Sequence, residues 1–377
     1  MNKVLISLLA LSLLAAPAAA QRKLIEKYLS NKKDSSRRPS FMPVPVFGYS
    51  QEIGVEFGLG ALYSFYADRT DTAQRSSNFS GNLSTSTKKI FNISLNADGW
   101  AKGNRYHYIA DVKIRKMPFD FFGTGNSTAE ADKDRLVQNM VKLAFDLEKR
   151  LLPHAYTGVS TAFEQYHFTD KAAGGMFSQP DLTGAPGGRA LFIGLSQSYD
   201  TRNSNNYPGR GFFGRVTYQY APDLFGAGHF SGSRITANLS NFWTLHPKFI
   251  LGAQGIYQTV QSRNTPFWML PQLGNDEMMR GYYTGRYRDE NLLAFQAELR
   301  FRYNHRFGAA VFAGTGQVFG EKSNLAMRGF KPNYGAGFRY FFDPEKGLSV
   351  RLDYGVGEKR PNEKRQGGFY ISLAEAF

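Results

Sequence analysis

The last eleven residues of this chain alternate in polarity and end on an aromatic side chain. Side chains of a β-strand point alternately to its two faces, so Phe369, Ile371, Leu373 and Phe377 share one face. Smaller or polar residues occupy the other face. Strands with one apolar and one polar face are typical of barrels that have lipid outside and a lumen inside. We therefore predict that 367–377 is the closing strand of a transmembrane β-barrel, with these four side chains facing lipid.

The first residues of the chain predict an export signal. One lysine precedes an apolar run from Val4 to Leu14, and three alanines, Ala18 to Ala20, form a small-residue cleavage pattern. We expect residues 1–20 to be a cleaved signal peptide and the mature protein to begin near Gln21.

Residues 21–41 predict a short basic periplasmic segment ahead of a barrel domain at 42–377. Between Arg22 and Arg38 there are seven Lys or Arg residues against two carboxylates. A run of like charges beside a membrane is typical of a solvated tail.

Composition excludes several classes of protein. The chain has no cysteine, which rules out disulfides and thiolate metal sites. After the signal there is no apolar stretch of roughly 18 residues, so a helical membrane span is excluded and a closed barrel remains. The mean hydropathy of −0.39 is compatible with a barrel, in which every second residue faces lipid. A secreted β-sandwich shares the alternation but gives no reason for the aromatic ending.

Beyond Phe41 the chain divides into sixteen alternating segments separated by turn residues. The predicted strands are 42–49, 53–66, 77–87, 89–100, 103–115, 134–150, 153–168, 189–200, 211–221, 230–245, 248–262, 290–303, 307–319, 331–343, 346–356 and 367–377. An even number of strands returns both ends to the periplasmic side, so short inner turns should alternate with long outer loops. The longest predicted outer loop is 263–289.

Alternation also assigns side chains to the lumen. In the twelfth predicted strand, Glu298 and Arg300 alternate with apolar residues and must face inward. The same argument places four more charged side chains inward: Arg215, Arg339, Arg351 and Asp353. The sequence therefore predicts a lumen rich in arginine with a few carboxylates.

The longest outer loop contains Met279-Arg280-Gly281-Tyr282. An apolar residue, Arg, Gly and an aromatic residue in this order resemble the sixth-loop motif of the BamA/TamA-type outer-membrane insertase and transporter superfamily, the bacterial surface antigen barrels. The motif lies between the eleventh and twelfth strands, where that family carries it. Segments 199–203, 297–301 and 368–377 also resemble family segments, and the resemblance covers the chain after Phe41. It implies an all-β, sixteen-stranded antiparallel barrel in the outer membrane of a Gram-negative bacterium, with the sixth extracellular loop inserted into the lumen.

The resemblance implies an ion pair between this loop and the barrel wall. An arginine carried into a lumen loses hydration and needs a charged partner, so we predict that Arg280 pairs with Glu298. Gly281 would let the loop turn beside the wall, and Tyr282 would pack on it with its hydroxyl hydrogen-bonded.

The family draws a second carboxylate from its thirteenth strand, within a Phe-x-Asp-x-Gly pattern. Here that strand has Phe312, Gly314 and Gly316, with Gly314 in the position of the aspartate. We therefore expect the arginine to be one carboxylate short, so that Glu298 alone, or Asp289, serves as its partner. A loop that only braces the barrel and a loop with a direct role in transport both fit these residues.

The resemblance implies a function in moving protein or lipid into or across the outer membrane. The mechanism would use a weak seam between the first and last strands, around Val46 and Ile371, and Pro43 and Pro45 would weaken it further because proline donates no ladder hydrogen bond. The ending on Phe377 also resembles the signal by which barrels are accepted for insertion. Family insertases carry periplasmic POTRA domains of roughly 75 residues, and 21–41 has no room for one. We therefore expect a separate periplasmic or lipoprotein partner, besides outer-membrane lipid and a protein or lipid client.

Two other functions are compatible with the sequence. An arginine-lined lumen would suit a passive anion channel gated by loop 263–289. His229 and Ser231 have the spacing of an outer-membrane hydrolase, although no orienting Asn or Asp is evident beside them. The remaining histidines form no ligand cluster, so we predict no metal, no cofactor and no catalytic residues, and an exported barrel gives no reason to expect nucleic acid as a partner.

Overall fold

A computed structural model describes residues 36–50, 54–170, 174–180, 182–320 and 323–377. The predicted signal peptide and most of the predicted basic segment lie outside these ranges. Sixteen strands form one antiparallel sheet in chain order, and a two-stranded hairpin lies between the eleventh and twelfth of them. The predicted fold class, a sixteen-stranded antiparallel β-barrel, is confirmed.

The strands in chain order are β1 (Ser40–Ser50), β2 (Gly54–Tyr66), β3 (Ser76–Ser86), β4 (Phe91–Trp100), β5 (Tyr106–Phe121), β6 (Asp134–Leu152), β7 (Ala155–Asp170), β8 (Gly187–Asp200), β9 (Gly211–Ala221), β10 (Gly232–His246), β11 (Phe249–Gln261), β12 (Gln272–Leu273), β13 (Tyr287–Arg288), β14 (Asn291–Arg302), β15 (Phe307–Phe319), β16 (Lys331–Asp343), β17 (Leu348–Val356) and β18 (Gly367–Leu373). β12 and β13 form the small hairpin. Three short 3-10 helices are Lys102–Asn104, Met176–Ser178 and Met327–Gly329. Among the described residues, no helix is long and apolar enough to cross a membrane.

The two faces of the sheet differ as the alternation predicts. On β14, Phe295 is 46% exposed on the outer face, whereas Gln296, Glu298 and Arg300 are buried on the inner face. The same alternation buries Arg339 of β16 inside the barrel. A sheet that presents apolar residues outward and buries charged ones inward suits lipid outside and a polar lumen inside.

Most strand ends lie within about three residues of the predicted ones, but β5 is longer than predicted. It was expected to end at residue 115 and continues to Phe121, paired throughout with β6. Its last residues are held by an apolar cluster at the long-loop end of the barrel. We call this the cap cluster, and its largest members are Phe121, Phe168, Phe192, Phe230, Phe267 and Trp268.

The predicted closing strand is shorter than expected, and the lipid-facing position of Phe377 is wrong. β18 ends at Leu373, and Ala374 has a positive φ of 69° that turns the chain into the lumen. There Phe377 stacks on the inward-facing Phe242, with ring centres 5.7 Å apart. Glu375 Oε2 accepts a hydrogen bond from Arg339 Nε at 2.8 Å, and this buried pairing draws the tail inward. We call residues 374–377 the lumenal tail.

Candidate functional site

The connection between β11 and β14 folds back into the lumen. After β12, the side chain of Asn275 accepts hydrogen bonds from the backbone N–H groups of Glu277 and Met278, at 2.8 and 2.6 Å. This turn presents Arg280 to the barrel wall. We call residues 275–282 the loop tip.

An apolar cluster fixes the loop tip against β14 and β15. Met279 is fully buried and, with Tyr282, packs against wall residues. The wall residues of this cluster are Leu292, Ala294 and Val318. Gly316 leaves room for the loop, because a Cβ at that position would lie 3.2 Å from Met279 Cγ. The motif residue Met279 therefore anchors the tip through burial.

The guanidinium of Arg280 lies between two carboxylates of the barrel wall. Its Nη2 donates to Glu298 Oε2 at 2.8 Å, and its Nη1 donates to Asp353 Oδ2 at 2.6 Å. Its Cζ lies 3.5 Å from the centre of the Phe312 ring. All three charged side chains are fully buried. Such desolvation is tolerated because the cation is paired and hydrogen-bonded on both sides.

The expectation that this arginine is one carboxylate short is wrong. Asp353 of β17 supplies the second carboxylate, which the family resemblance located on the thirteenth strand. Alternation along β17 already places Asp353 inward, and that is the signal from which it could have been identified. Gly314, which stands where the family has aspartate, lies beside Asn333, whose Nδ2 donates to Arg280 O at 3.1 Å.

We expect Gly314→Asp to destabilise the barrel by about 1–3 kcal/mol. A Cβ at this position would lie 2.6 Å from Asn333 Oδ1 and 2.7 Å from Phe295 O, so the side chain overpacks the wall. Gly314→Ala is the matched control, since it adds the Cβ without the charge. Denaturant unfolding in detergent micelles measures both changes, and an aspartate variant more stable than the native barrel would contradict the assignment of Asp353 as the second partner.

Gly281 and Tyr282 connect the loop tip to β16, to β18 and to the connection after β17. Gly281 N donates to the hydroxyl of Tyr370 on β18 at 2.8 Å. The hydroxyl of Tyr282 donates to Pro332 O at 2.7 Å and accepts from Glu358 N at 3.0 Å. The loop tip therefore contacts the last strand of the sheet as well as β14 to β17.

The Arg280 pairs belong to a larger cluster of alternating charges, which is buried except for the half-exposed Asp276. It contains Arg280, Arg300, Arg339, Arg351, Asp276, Glu298, Asp353 and Glu375. Arg300 Nε lies 2.9 Å from Glu298 Oε1, and Arg351 Nη1 lies 2.8 Å from Asp353 Oδ2. Four arginines face four carboxylates, so the inward arginines of this cluster are neutralised by their neighbours.

β1 and β18 are the two edges of the sheet, and we call the gap between them the seam. Within the described ranges, β1 pairs with β2 and β18 with β17, and no ladder joins β1 to β18. Phe369 and Ile371 of β18 face outward and are 76% and 72% exposed. Leu373 and Met42 are partly buried and pack against a small cluster of Leu62, Phe342 and Leu348. The edge strand leaves its apolar side chains more exposed than those of paired strands.

The edge of β1 at the seam lacks two hydrogen-bond donors. The ladder between β1 and β2 runs without a break through Pro43 and Pro45. A proline cannot donate, so the N–H groups that pair with β2 belong to the alternating residues. The missing donors of both prolines therefore lie on the edge that faces β18. Val46 belongs to the alternating, half-buried series and faces the lumen, opposite to the outward-facing Ile371.

The seam is held at its short-turn end. Lys346, in the turn between β16 and β17, donates from Nζ to Ser40 Oγ at 2.8 Å and to Asp343 Oδ2 at 2.7 Å. Ser40 Oγ in turn donates to Asp343 Oδ2. We call these three residues the clasp. The clasp therefore ties the start of β1 to the turn between β16 and β17, on the other side of the seam.

The structure also places two other groups that the sequence suggests as candidates, Asp289 as a partner of Arg280 and His229 with Ser231 as a hydrolase pair. Asp289 accepts a hydrogen bond from Glu290 N at 2.9 Å with its Oδ1, whereas both terminal nitrogens of Arg280 are directed to other carboxylates. His229 Nδ1 accepts from Arg189 N at 3.2 Å, so this ring nitrogen is not free to act as a base for Ser231. No group of His, Asp and Glu suited to a metal ion occurs in the described part of the chain.

Comparison with known proteins gives a family match and three structural neighbours. Residues 46–377 match the model of the Omp85 superfamily domain. A crystal structure of BamA from Haemophilus ducreyi lacking POTRA domains 1–3 is similar, with a TM-score of 0.53 and 13% identity. CdiB from Acinetobacter baumannii gives 0.55 and 12%, and CdiB from Escherichia coli gives 0.54 and 10%. Each comparison covers 89% of this chain.

The chain spans only part of these neighbours, covering 70% of the BamA chain and 59% and 62% of the two CdiB chains. At these low identities the likeness concerns the fold alone. A search of curated proteins found no significant match.

Proposed function

The chain belongs to the Omp85 superfamily of outer-membrane barrels, and we propose that it assists the insertion or translocation of a protein or lipid at the outer membrane through its seam. The observation that best supports this is the unpaired edge between β1 and β18. An exposed strand edge in a bilayer leaves backbone groups without partners, at a cost of several kcal/mol for each such group. Pairing with a client strand relieves that cost.

The two prolines of β1 favour an open seam. Without the N–H groups of Pro43 and Pro45, β18 has fewer donors to pair with, so closing the seam forms fewer hydrogen bonds than pairing with an edge that has no proline. A client strand that pairs with the edge of β18 meets no such deficit. β18 is therefore the edge on which we expect a client to add, by antiparallel strand addition.

The loop tip is placed to control the position of β18. Gly281 N donates to Tyr370, and Ser372 Oγ donates to Asp276 Oδ2 at 2.7 Å. Both acceptor and donor on β18 face the lumen. We infer that the seated loop holds the last strand inward, and that release of these two contacts lets β18 move toward lipid. In this interpretation the loop braces the barrel and also governs the seam.

The partners follow from this mechanism. Outer-membrane lipid borders the seam directly, and the client is a protein strand or a lipid that enters there. A separate periplasmic or lipoprotein partner delivers the client. An anion channel has weaker support, because the central arginines are neutralised by carboxylates and the loop tip is packed among them.

Cross-linking across the seam should abolish activity. Because Val46 and Ser372 both face the lumen, Val46→Cys and Ser372→Cys can be joined by a cleavable bismaleimide, and the native chain has no competing cysteine. In reconstituted vesicles we expect the linked barrel to fold an unfolded β-barrel client, or to transfer a labelled lipid, at least about tenfold more slowly. Cleaving the linker should restore the rate.

The matched control places the same linker within a paired ladder. Thr236 and Gln258 lie directly opposite each other on β10 and β11, so a link between cysteines at these positions leaves the seam free. Full activity of the linked seam variant would contradict the proposed mechanism. Equal loss in both variants would attribute the effect to general stiffening of the barrel.

A further inference from the structure

A cavity of about 940 Å³ lies in the long-loop half of the lumen, beside the seam. Arg115 and Phe119 of β5 line one side, and Arg288 of β13 lines another. Gly367 and Gly368, at the start of β18, form part of the wall toward the seam. We call this space the loop cavity. Its wall at the seam is formed in part by two residues without side chains, on a strand whose outer edge is unpaired.

Positive charge dominates the lining of the loop cavity. The charged residues that line it are Arg115, Arg286, Arg288, Lys364, Arg365, Asp120, Glu130 and Glu363. All three carboxylates already have cationic partners: Asp120 pairs with Arg135, and Glu130 and Glu363 both pair with Arg286. Two deep-lying arginines, Arg115 and Arg288, have no carboxylate within ion-pair distance among the described residues.

Arg288 is a buried cation whose hydrogen bonds, within the described ranges, go to one backbone carbonyl. It is 2% exposed, and its Nε and Nη2 donate to Gly285 O at 3.2 and 3.1 Å. Its Cζ lies 5.2 Å from the centre of the Phe121 ring. Burial lowers the pKa of its guanidinium to about 10, and the ionisable group that opposes this shift is Tyr283, which is neutral at pH 7. Its donors therefore have no anionic partner among the described residues.

Arg115 faces the same space from the barrel wall. It belongs to the inward series of β5, which alternates with the outward-facing Ile114, and its buried Nε has no hydrogen-bond partner in the described part of the chain. Aromatic side chains complete the walls around the two guanidinium groups. They are Phe119, Phe122, Tyr166, Phe168, Trp268 and Tyr283.

This combination fits an anionic group carried on an apolar molecule. Uncompensated guanidinium groups are costly to bury, and their planar fork matches the oxygens of a phosphate. The volume and the aromatic walls exceed what a free phosphate needs. We propose that the loop cavity binds the phosphate group of a membrane lipid, which enters between β18 and β1. The binding itself does not require insertion or translocation activity, whereas the entry route rests on the seam proposed above.

Calorimetric titration of the purified full-length barrel in maltoside micelles tests this proposal. The probe is dioctanoyl phosphatidic acid, and the comparators are dioctanoylglycerol and inorganic phosphate. We expect saturable binding of phosphatidic acid, weakened about tenfold by Arg115→Gln and by Arg288→Gln and at least about thirtyfold by both together. Arg263→Gln, an exposed arginine on the same loop, is the matched control and should change nothing.

Three outcomes would overturn the proposal. They are the absence of saturable binding, equal binding of dioctanoylglycerol, and equal binding of inorganic phosphate, which would replace the lipid by a free anion. Stability in lipid-free micelles provides an independent readout. Because neither arginine is paired with a carboxylate, Arg115→Gln should leave the unfolding midpoint unchanged, and a marked drop would assign this side chain a structural role instead.

Discussion

Replacing Arg280 with alanine is expected to lower the free energy of unfolding by about 3–5 kcal/mol. The guanidinium is fully buried between Glu298 and Asp353, at 2.8 and 2.6 Å. Its removal leaves three arginines against four carboxylates, of which Glu298, Asp353 and Glu375 are buried away from water. The remaining arginines limit the penalty, because Arg300 still pairs with Glu298 and Arg339 still pairs with Asp353.

Denaturant unfolding in micelles, followed by tryptophan fluorescence and by heat-modifiable mobility on gels, measures this loss. Arg263→Ala is the control on the same loop, and as an exposed side chain it should cost less than about 0.5 kcal/mol. Arg280→Lys should recover less than about half of the stability, because an ammonium group cannot donate to two carboxylates in the guanidinium geometry. If the alanine variant is as stable as the native barrel, the paired arginine does not stabilise the barrel.

A double-mutant cycle assigns the second partner. If Asp353 is paired with Arg280, the changes Arg280→Ala and Asp353→Ala should be non-additive by about 1 kcal/mol or more. The same cycle between Arg280 and Asp289 should be additive. The activity of Arg280→Lys separates the two roles of the loop. If this variant folds but neither folds a client barrel nor transfers labelled lipid in vesicles, the loop has a direct role in transport and does not only brace the barrel.

The strands could be predicted from the sequence because each carries its own two-residue period. Alternation in β14 identified Glu298 and Arg300 as inward-facing, and a barrel wall leaves them no other face. The partner of Arg280 on that wall followed from the family resemblance. These inferences needed only local pattern and a known loop position.

The second carboxylate and the lumenal tail depend on distances between elements that are remote in sequence. Alternation along β17 places Asp353 inward, but its ion pair with Arg280 is visible only once the loop is seated in the lumen. The pattern around Phe377 is the same whether the ring faces lipid or lumen. The ring enters the lumen because Glu375 pairs with Arg339, which lies on another strand, and because the chain turns at Ala374. No local pattern contains that information.

Gly281→Ala is expected to unseat the loop tip and to cost about 3 kcal/mol or more, through two separable effects. The φ of Gly281 is +109°, where a residue with a Cβ is strained by about 1–3 kcal/mol. A Cβ there would also lie 2.8 Å from backbone atoms of Gly355 and Val356, so β17 or the loop must move. Because the strand is held in the sheet on both sides, the loop is the part that moves.

Two other glycines separate these effects. Gly226 has a positive φ of +77° but open space around it, so Gly226→Ala should cost about 1 kcal/mol from conformation alone. A Cβ at Gly355 would lie 2.5 Å from Arg280 C, without a positive φ, so Gly355→Ala carries the steric effect alone. We expect the cost for Gly281→Ala to exceed the cost of either control.

The decisive comparison removes the loop. In a barrel whose residues 275–288 are replaced by a short flexible linker, Gly355→Ala should become nearly neutral, because the atoms that its Cβ would meet belong to Arg280 and Gly281. In the intact barrel, Arg280→Ala and Gly281→Ala should together cost less than the sum of their separate costs, since each one alone detaches the tip from Glu298 and Asp353. Full additivity would mean that the glycine and the arginine act independently, and the close approach of the two backbones would then not be what seats the arginine between its carboxylates.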